Sequence, residues 1–302
     1  MRWIVRPGDG LTVGDVLLRA HADADALRDG RVFVGRRRAR APEEPLRQGD
    51  VVEIASRRET PPAPQILLQK DDVVAVDKPA GMPTIGDHAG AAHALVAATA
   101  NALGLDASRL HPTSRLDREV SGVVLFALTK VAADRLARAR VEGLYERRYV
   151  ALAALAPDPP KGVWDTPIGR ASDPRRRVVN GRDAAPATTR YAVCERTAVA
   201  AALLAVAPVT GRTHQIRVHA AAGGAPLIGD RVYGGPMRVT LPGGRVLALR
   251  RIALHAARVV VPSERGAPLV ALSPVPAELA DLWSALGGNP AGWEVAASCV
   301  IE

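Results

Sequence analysis

Short stretches of alternating apolar and polar positions, broken by Gly, Pro and charged clusters, cover most of the chain. Within the first 57 residues, the pattern over 11–18 predicts a short amphipathic helix with Thr12 as its N-cap. Residues 24–27 fit a second short helix closed by Gly30. A strand is predicted over 31–34, with a turn at Gly35, and another over 51–54 after the Gly49-Asp50 turn. Residues 59–64 read Glu-Thr-Pro-Pro-Ala-Pro, and prolines at this density continue neither a helix nor a central strand. The chain therefore divides into a small α/β unit over 1–58, a Pro-rich linker over 59–64 and a larger domain over 65–302.

In the larger domain, strands are predicted over 66–68, 73–76, 122–128, 149–155, 190–193 and 198–206. Helical periodicity covers 91–103, 131–140, 214–222 and 277–286. Strands follow one another without regular alternation with helices. That predicts an α+β fold with a mixed, mostly antiparallel sheet rather than a doubly wound parallel one. No internal repeat is evident.

Composition adds a partner. The 302 residues carry a formal charge of +9, and 36 of the 40 basic residues are Arg. An apolar content of 48% is too high for a disordered polyelectrolyte. The longest apolar stretch, 198–209, contains Pro208 and is too short to span a membrane, and the N-terminus lacks the apolar core of a signal peptide. Two cysteines make neither a disulfide framework nor a zinc cluster. These features predict a cytoplasmic protein with a polyanionic partner, nucleic acid first. The Arg cluster of Arg36, Arg37, Arg38 and Arg40 is the tightest.

There is no phosphate-binding Gly-Lys-Ser/Thr loop, no Gly-x-Ser-x-Gly elbow and no His-Glu-x-x-His, and the seven His form no metal pattern. Neither a metal nor a cofactor is predicted. The chemistry-bearing segment is His111-Pro-Thr-Ser-Arg-Leu-Asp-Arg-Glu-Val-Ser-Gly122, a charged knot running into an apolar strand. It sets Asp117 in a turn at the mouth of a buried strand, between Arg115 and Arg118. Positive neighbours keep a carboxylate ionised, as a nucleophile requires. A lone Asp in such a place more often serves a turn or salt bridge. The second segment, Gly211-Arg-Thr-His-Gln-Ile-Arg-Val-His219, opens a helix with Arg212, His214, Gln215 and Arg217, where backbone N–H groups favour anions. Arg217 can pair with a carboxylate in bidentate fashion. Two more segments are Asp77-Lys-Pro-Ala-Gly81 and Arg147-Arg-Tyr-Val-Ala151.

Taken in order, these segments resemble the RluA family of RNA pseudouridine synthases, as do Pro226–Gly234 and Leu254-His255-Ala256. The resemblance covers about residues 65–285. Residues 1–57 resemble the small RNA-binding domain first known from ribosomal protein S-four, with Gly35-Arg36 where Asn-Gly is usual. The resemblance implies a pseudouridine synthase fold and isomerisation of uridine to pseudouridine in structured RNA, ribosomal or transfer. Asp117 would be the catalytic carboxylate, Tyr149 would stack on the uracil, and Arg217 would pair with Asp117. Arg115, Arg118, Arg212, His214 and Gln215 would contact RNA near the site, with Arg115 filling the vacated base stack. Arg36, Arg37, Arg38 and Arg40 would contact phosphates, and Arg175–Arg177 form a second candidate. A monomer is predicted. Ser114 and Val120 depart from the family pattern, which has His and Thr there. Two rival readings remain: an RNA-binding protein that has lost catalysis, and a hydrolase using Ser114, His214 and Asp117.

Overall fold

The computed structural model describes residues 1–9, 12–22, 25–28, 30–35, 37–55, 63–86, 92–241, 243–299 and 301. Arg36 and residues 59–62 of the predicted linker lie outside the described residues. The chain forms two compact units: Met1–Pro64 with Met82–Ser108, and Gln65–Gly81 with Arg109–Glu302. Residues 82–108 were expected in the larger domain but group with the first unit. A Pro-rich stretch marks where a chain leaves a unit and carries no sign of a later return.

In the first unit, four antiparallel strands run in the order Arg2–Ile4, Val51–Ile54, Val32–Val34, Arg37–Arg38. The helix Val13–Arg19 starts at Thr12, whose hydroxyl accepts from the Asp15 N–H at 3.2 Å while the Asp15 carboxylate accepts from the Thr12 N–H at 3.0 Å. This reciprocal cap satisfies two backbone donors that a helix start otherwise leaves open. Val13 and Val16 of that helix pack with Val32, Leu46, Val52 and Ile54. Of the helix expected over 24–27, residue 24 lies outside the described residues and 25–27 are part of turns over 25–28, since so short a run is too little to offset helix nucleation. The helix Leu95–Leu103 ends at Gly104 in the left-handed conformation, φ 65°.

The second unit is built on a ten-stranded sheet. Its main path is Lys161–Trp164, Thr189–Arg196, Ala202–Pro208, Glu146–Ala153, Leu254–Val261, Ser121–Ala127, Val73–Lys78 and Gln65–Lys70. His111–Pro112 and Leu269–Leu272 add to its strands. Every pair is antiparallel except Leu254–Val261 with Ser121–Ala127, where His255 stands opposite Ser121 and Ala256 opposite Gly122. The α+β class and the mostly antiparallel mixed sheet are as predicted. At the parallel crossing the backbones approach closely. Gly122 has φ +114°, and a Cβ there would lie 2.3 Å from the Ala256 carbonyl oxygen, so only glycine fits.

Two apolar clusters hold this sheet. In one, Val150, Leu152 and Leu203 pack with Leu279, Leu282, Trp283 and Trp293 from the helices Ala277–Ala285 and Gly292–Ser298. In the other, Val73, Val123 and Leu125 pack with Leu136 of the helix Lys130–Val141. The strand predicted over 198–206 starts later, at Ala202, because residues 197–200 form the hairpin turn that pairs Arg196 with Ala202. The small sheet of Ile168–Arg170, Arg177–Val179 and Arg182–Ala185 was not predicted, since its strands have three or four residues and no apolar alternation. No helix among the described residues is long and apolar enough to cross a membrane.

Candidate active site

Asp117 sits in the turn that enters the fully buried strand Ser121–Ala127, and the Val120 N–H donates to its carbonyl at 3.1 Å. The next carbonyl, of Arg118, accepts from the Gly81 N–H at 2.7 Å and from Lys78 Nζ at 3.2 Å. Lys78 is fully buried and also donates to the Pro79 carbonyl at 2.9 Å. Burial, then the charge of Arg251, pulls its pKa down to about 7, with Asp117 opposing. The Asp-Lys-Pro-x-Gly segment thus clamps the backbone beside Asp117.

The helix Gln215–Ala222 supplies the partner. Arg217 Nη1 donates to Asp117 Oδ2 at 2.7 Å. The same guanidinium donates from Nε and Nη2 to the two carboxylate oxygens of Asp230, at 2.7 and 2.9 Å. That fork fixes the plane of Arg217. Asp230 is held in turn by the N–H groups of Val232 and Tyr233, at 3.2 and 3.3 Å. Burial disfavours the Arg217 cation, but the hydrogen bond to Asp230 and the charges of Asp117 and Asp230 outweigh it and raise its pKa. Side-chain exposure is 1% at Asp230, 6% at Arg217 and 27% at Asp117. Of the three, only Asp117 faces solvent appreciably.

The turn before this helix is fastened by Gln215. Its Oε1 accepts from Thr210 Oγ1 at 2.7 Å and the Arg212 N–H at 2.9 Å, and its Nε2 donates to the Thr188 carbonyl and Thr189 Oγ1, both at 2.9 Å. Arg147 Nη2 donates to the carbonyls of Pro208 and Thr210, each at 2.9 Å. The turn leaves His214 in the left-handed conformation, φ 59°, as the helix N-cap. His214 Nε2 lies 3.9 Å from Asp117 Oδ2, and Nδ1 lies 2.8 Å from the Tyr233 hydroxyl. The Tyr233 ring lies 5.0 Å from the Arg217 guanidinium and 5.8 Å from that of Arg176.

Tyr149 lies on Glu146–Ala153, 8% exposed. Burial raises its phenol pKa; Arg147 opposes this, and the negative charge of Asp117 adds to it. Asp117, Arg217, His214 and Tyr149 therefore belong to one electrostatic neighbourhood. Among the expected RNA contacts, Arg115 and Arg212 are exposed and Arg118 is half-buried. Arg212 Nε donates to the Pro186 carbonyl at 2.9 Å. Gln215 is buried, and its amide is fully occupied within the protein; direct RNA contact, expected from its place in a basic helix start, is corrected to support of the turn. Arg37, Arg38 and Arg40 belong to the first unit. Asp230 and Tyr233 were assigned no role from sequence, although their segment was part of the resemblance. Among the described residues, no group of three or more His, Cys, Asp or Glu side chains could hold a metal ion.

A half-exposed carboxylate, fixed by a buried arginine beside a mixed sheet, defines an enzyme-like site. Comparison with known proteins gives it a family. The model of the RNA pseudouridylate synthase family matches residues 72–222. The chain is 35% identical over 230 residues to the ribosomal large subunit pseudouridine synthase D of Nitrosomonas europaea, covering 75% of this chain and 66% of that protein. It is 33% identical over 199 residues to the dual-specificity RNA pseudouridine synthase RluA of Escherichia coli, covering 65% of this chain and 85% of that protein. The solved structure of human RNA pseudouridylate synthase domain containing 4 has a TM-score of 0.57 at 25% identity, over 74% of this chain and 94% of that one. The chain belongs to the RNA pseudouridine synthase family.

Proposed function

We propose that this protein isomerises uridine to pseudouridine in RNA, with Asp117 as the catalytic carboxylate. The observation that carries the assignment is the Asp117–Arg217–Asp230 chain: Oδ2 of a partly exposed carboxylate is held at 2.7 Å by an arginine that a second, buried carboxylate orients. Arg217 compensates the charge of Asp117 and aims it. In the reaction the bond from N1 to C1′ breaks, the uracil turns while bound, and C5 bonds to C1′. C5 loses its proton and N1 gains one, so the composition of the RNA is unchanged.

Tyr149 stacks on the uracil in this reading. Extruding a uridine from folded RNA costs a few kcal/mol, and Arg115, exposed two residues before Asp117, fills the gap. Arg118, Arg212 and His214 line the approach, while Gln215 supports it from within. The first unit acts as an S-four-like RNA grip through Arg36, Arg37, Arg38 and Arg40. Large-subunit ribosomal RNA is the favoured substrate, because the relative from Nitrosomonas europaea is named for it; transfer RNA is the alternative. The protein works in the cytoplasm as a monomer. The Ser114 hydrolase has no support: no hydrogen bond joins Ser114 to His214 among the described residues, and Nδ1 of that imidazole is engaged by Tyr233.

The test is Asp117→Asn. Pseudouridine formed in ribosomal and transfer RNA is counted by mass spectrometry, and RNA affinity is measured alongside. Loss of product with affinity retained is expected; product at the wild-type rate removes Asp117 from the role.

A further inference from the structure

His214 and Tyr233 form a pair whose hydrogen-bonding capacity can be counted. The Tyr233 hydroxyl oxygen accepts from the Arg177 N–H at 3.0 Å. It keeps one proton to donate, and Nδ1 of His214 lies within reach at 2.8 Å, in a pair where either group can be the donor. An imidazole that accepts at Nδ1 carries its proton on Nε2. That nitrogen faces Asp117 Oδ2 at 3.9 Å, the same oxygen that Arg217 holds at 2.7 Å. Oδ1 of Asp117 accepts no hydrogen bond among the described residues.

Two further observations agree. Burial depresses the His214 pKa; Arg217 and Arg177 push the same way, while Asp117 and Asp230 oppose, and the net effect favours the neutral ring. His214 also keeps a left-handed backbone, a conformation that non-glycine residues retain where their surroundings impose it. Here the Gln215-fastened turn and the Tyr233 hydroxyl impose it.

We propose that His214 is a positioning residue for the reaction: Tyr233 fixes it as the neutral Nε2–H tautomer, so that Arg217 and His214 together pin Oδ2 of Asp117 and leave Oδ1 as the reacting oxygen. The separation of 3.9 Å closes to a hydrogen bond when RNA fills the site, as catalytic hydrogen bonds often tighten only once substrate is bound. This rests on Asp117 being the catalytic carboxylate. Tyr233 acts one step further out, with its ring 5.0 Å from the Arg217 guanidinium and 5.8 Å from that of Arg176.

The experiment uses the full chain and has two arms. Long-range proton–nitrogen NMR of the labelled protein at neutral pH reads the His214 tautomer directly. A protonated Nε2 and a bare Nδ1 are expected, with Tyr233→Phe giving averaged nitrogens. A protonated Nδ1, or a doubly protonated ring, overturns the proposal. In the second arm, single-turnover rates and RNA affinity are measured for His214→Asn, which tolerates the left-handed backbone, and for His214→Gln, whose amide can donate in place of Nε2–H. The rate of His214→Asn should fall about tenfold, the scale of one hydrogen bond, with affinity falling less than the rate and part of the rate restored in His214→Gln. A loss confined to affinity, or no loss, overturns it. Asp117→Asn separates the two readings. If it is inactive while His214→Asn is fully active, this inference alone fails; if it is active, the assignment of Asp117 fails.

Discussion

Two polar chains run through the larger unit, and each contains an arginine, a histidine and at least one carboxylate. The first joins Asp117, Arg217 and Asp230, with His214 and Tyr233 beside them. The second joins Asp77, Ser273, His255, Ser121 and Arg251. In it, Ser273 Oγ donates to Asp77 Oδ1 at 2.8 Å, Ser121 Oγ lies 2.8 Å from His255 Nδ1, and Arg251 Nη2 donates to Ser121 Oγ at 2.6 Å. Its other contacts are to backbone and to one further carboxylate: His255 Nε2 lies 3.2 Å from the Ser273 carbonyl, Arg251 donates to the carbonyls of Ile252 and Leu254, and Arg251 Nε lies 3.3 Å from Oε1 of the exposed Glu278. The second chain thus ties together the strands of the parallel crossing, with His255 sealed from solvent. The first ends on a carboxylate that is 27% exposed. Residue types do not distinguish a site from a brace. The support of the arginine does: the buried Asp230 fixes Arg217 through a two-oxygen fork and so aims it at Asp117, whereas Arg251 reaches the more exposed Glu278 from a hold on Ser121 and backbone carbonyls.

The strongest way to break this comparison is to remove the arginine of the first chain. Arg217→Met leaves Asp230 buried without its cation, which should cost about 3–5 kcal/mol of stability and abolish product formation. Denaturant unfolding and the pseudouridine assay read the two losses. Arg217→Lys should recover little, because an ammonium cannot make the fork to Asp230. A variant of wild-type stability would show that the buried pair contributes nothing.

Acid tests the second chain. Burial first of all lowers the His255 pKa from the ordinary 6.5 to about 4. As pH falls from 6.5, the unfolded chain takes up the proton and the folded chain does not, so stability drops until about pH 4 and levels below it. The drop amounts to about 3 kcal/mol for this one group. Burial depresses His214 and His219 in the same direction, so the informative quantity is the stability of wild type minus that of His255→Asn. Only wild type carries the His255 proton linkage, so this difference should shrink by that amount between pH 6.5 and 4 and stay constant above pH 7.5. A pH-independent difference would mean that His255 titrates normally in the fold.

A smaller change sharpens the contrast. Ser121→Ala removes a partner of both His255 and Arg251, at about 1–3 kcal/mol. The folded variant should still form pseudouridine at close to the wild-type rate, although Ser121 is only four residues from Asp117. A loss of rate as large as that of Asp117→Asn would join the two chains into one functional unit.

Much of this was legible in the sequence, for local reasons. A charged knot running into an apolar strand placed Asp117, and a basic helix start placed Arg217. The pairing of the two came from the family resemblance. Asp230 and Tyr233 were not assigned because their partners come from elsewhere in the chain: Asp230 is fixed by a side chain 13 residues away, and Tyr233 by the backbone of Arg177. Gln215 was misread because a polar residue at a basic helix start looks exposed, and only its bonds to Thr188 and Thr210 show it turned inward. The helix expected over 24–27 failed on length, and the strands around 168–185 were too short and polar to leave a period.

The smallest expected effect concerns the arginine cluster of the first unit, and it carries the same distinction between engaged and available charge. Arg37 is ion-paired with Glu44, whose carboxylate also accepts from the backbone N–H groups of Arg40 and Ala41. These hydrogen bonds, Arg40 first and Arg37 next, lower the Glu44 pKa and keep it negative. Arg38 sets its guanidinium 5.8 Å from the Phe33 ring centroid, and Arg40 is exposed. For every phosphate that is no longer neutralised, the log–log salt dependence of RNA binding should fall by about 0.7–0.9. Arg40→Ala should show that change in full. Arg37→Ala should show less, because RNA must first compete with Glu44, and Glu44→Gln should raise affinity by freeing Arg37. Titrations across a range of salt concentrations measure all three. Equal slopes for Arg37→Ala and Arg40→Ala would show that the Glu44 pair opens without cost when RNA binds, as exposed ion pairs worth little can do.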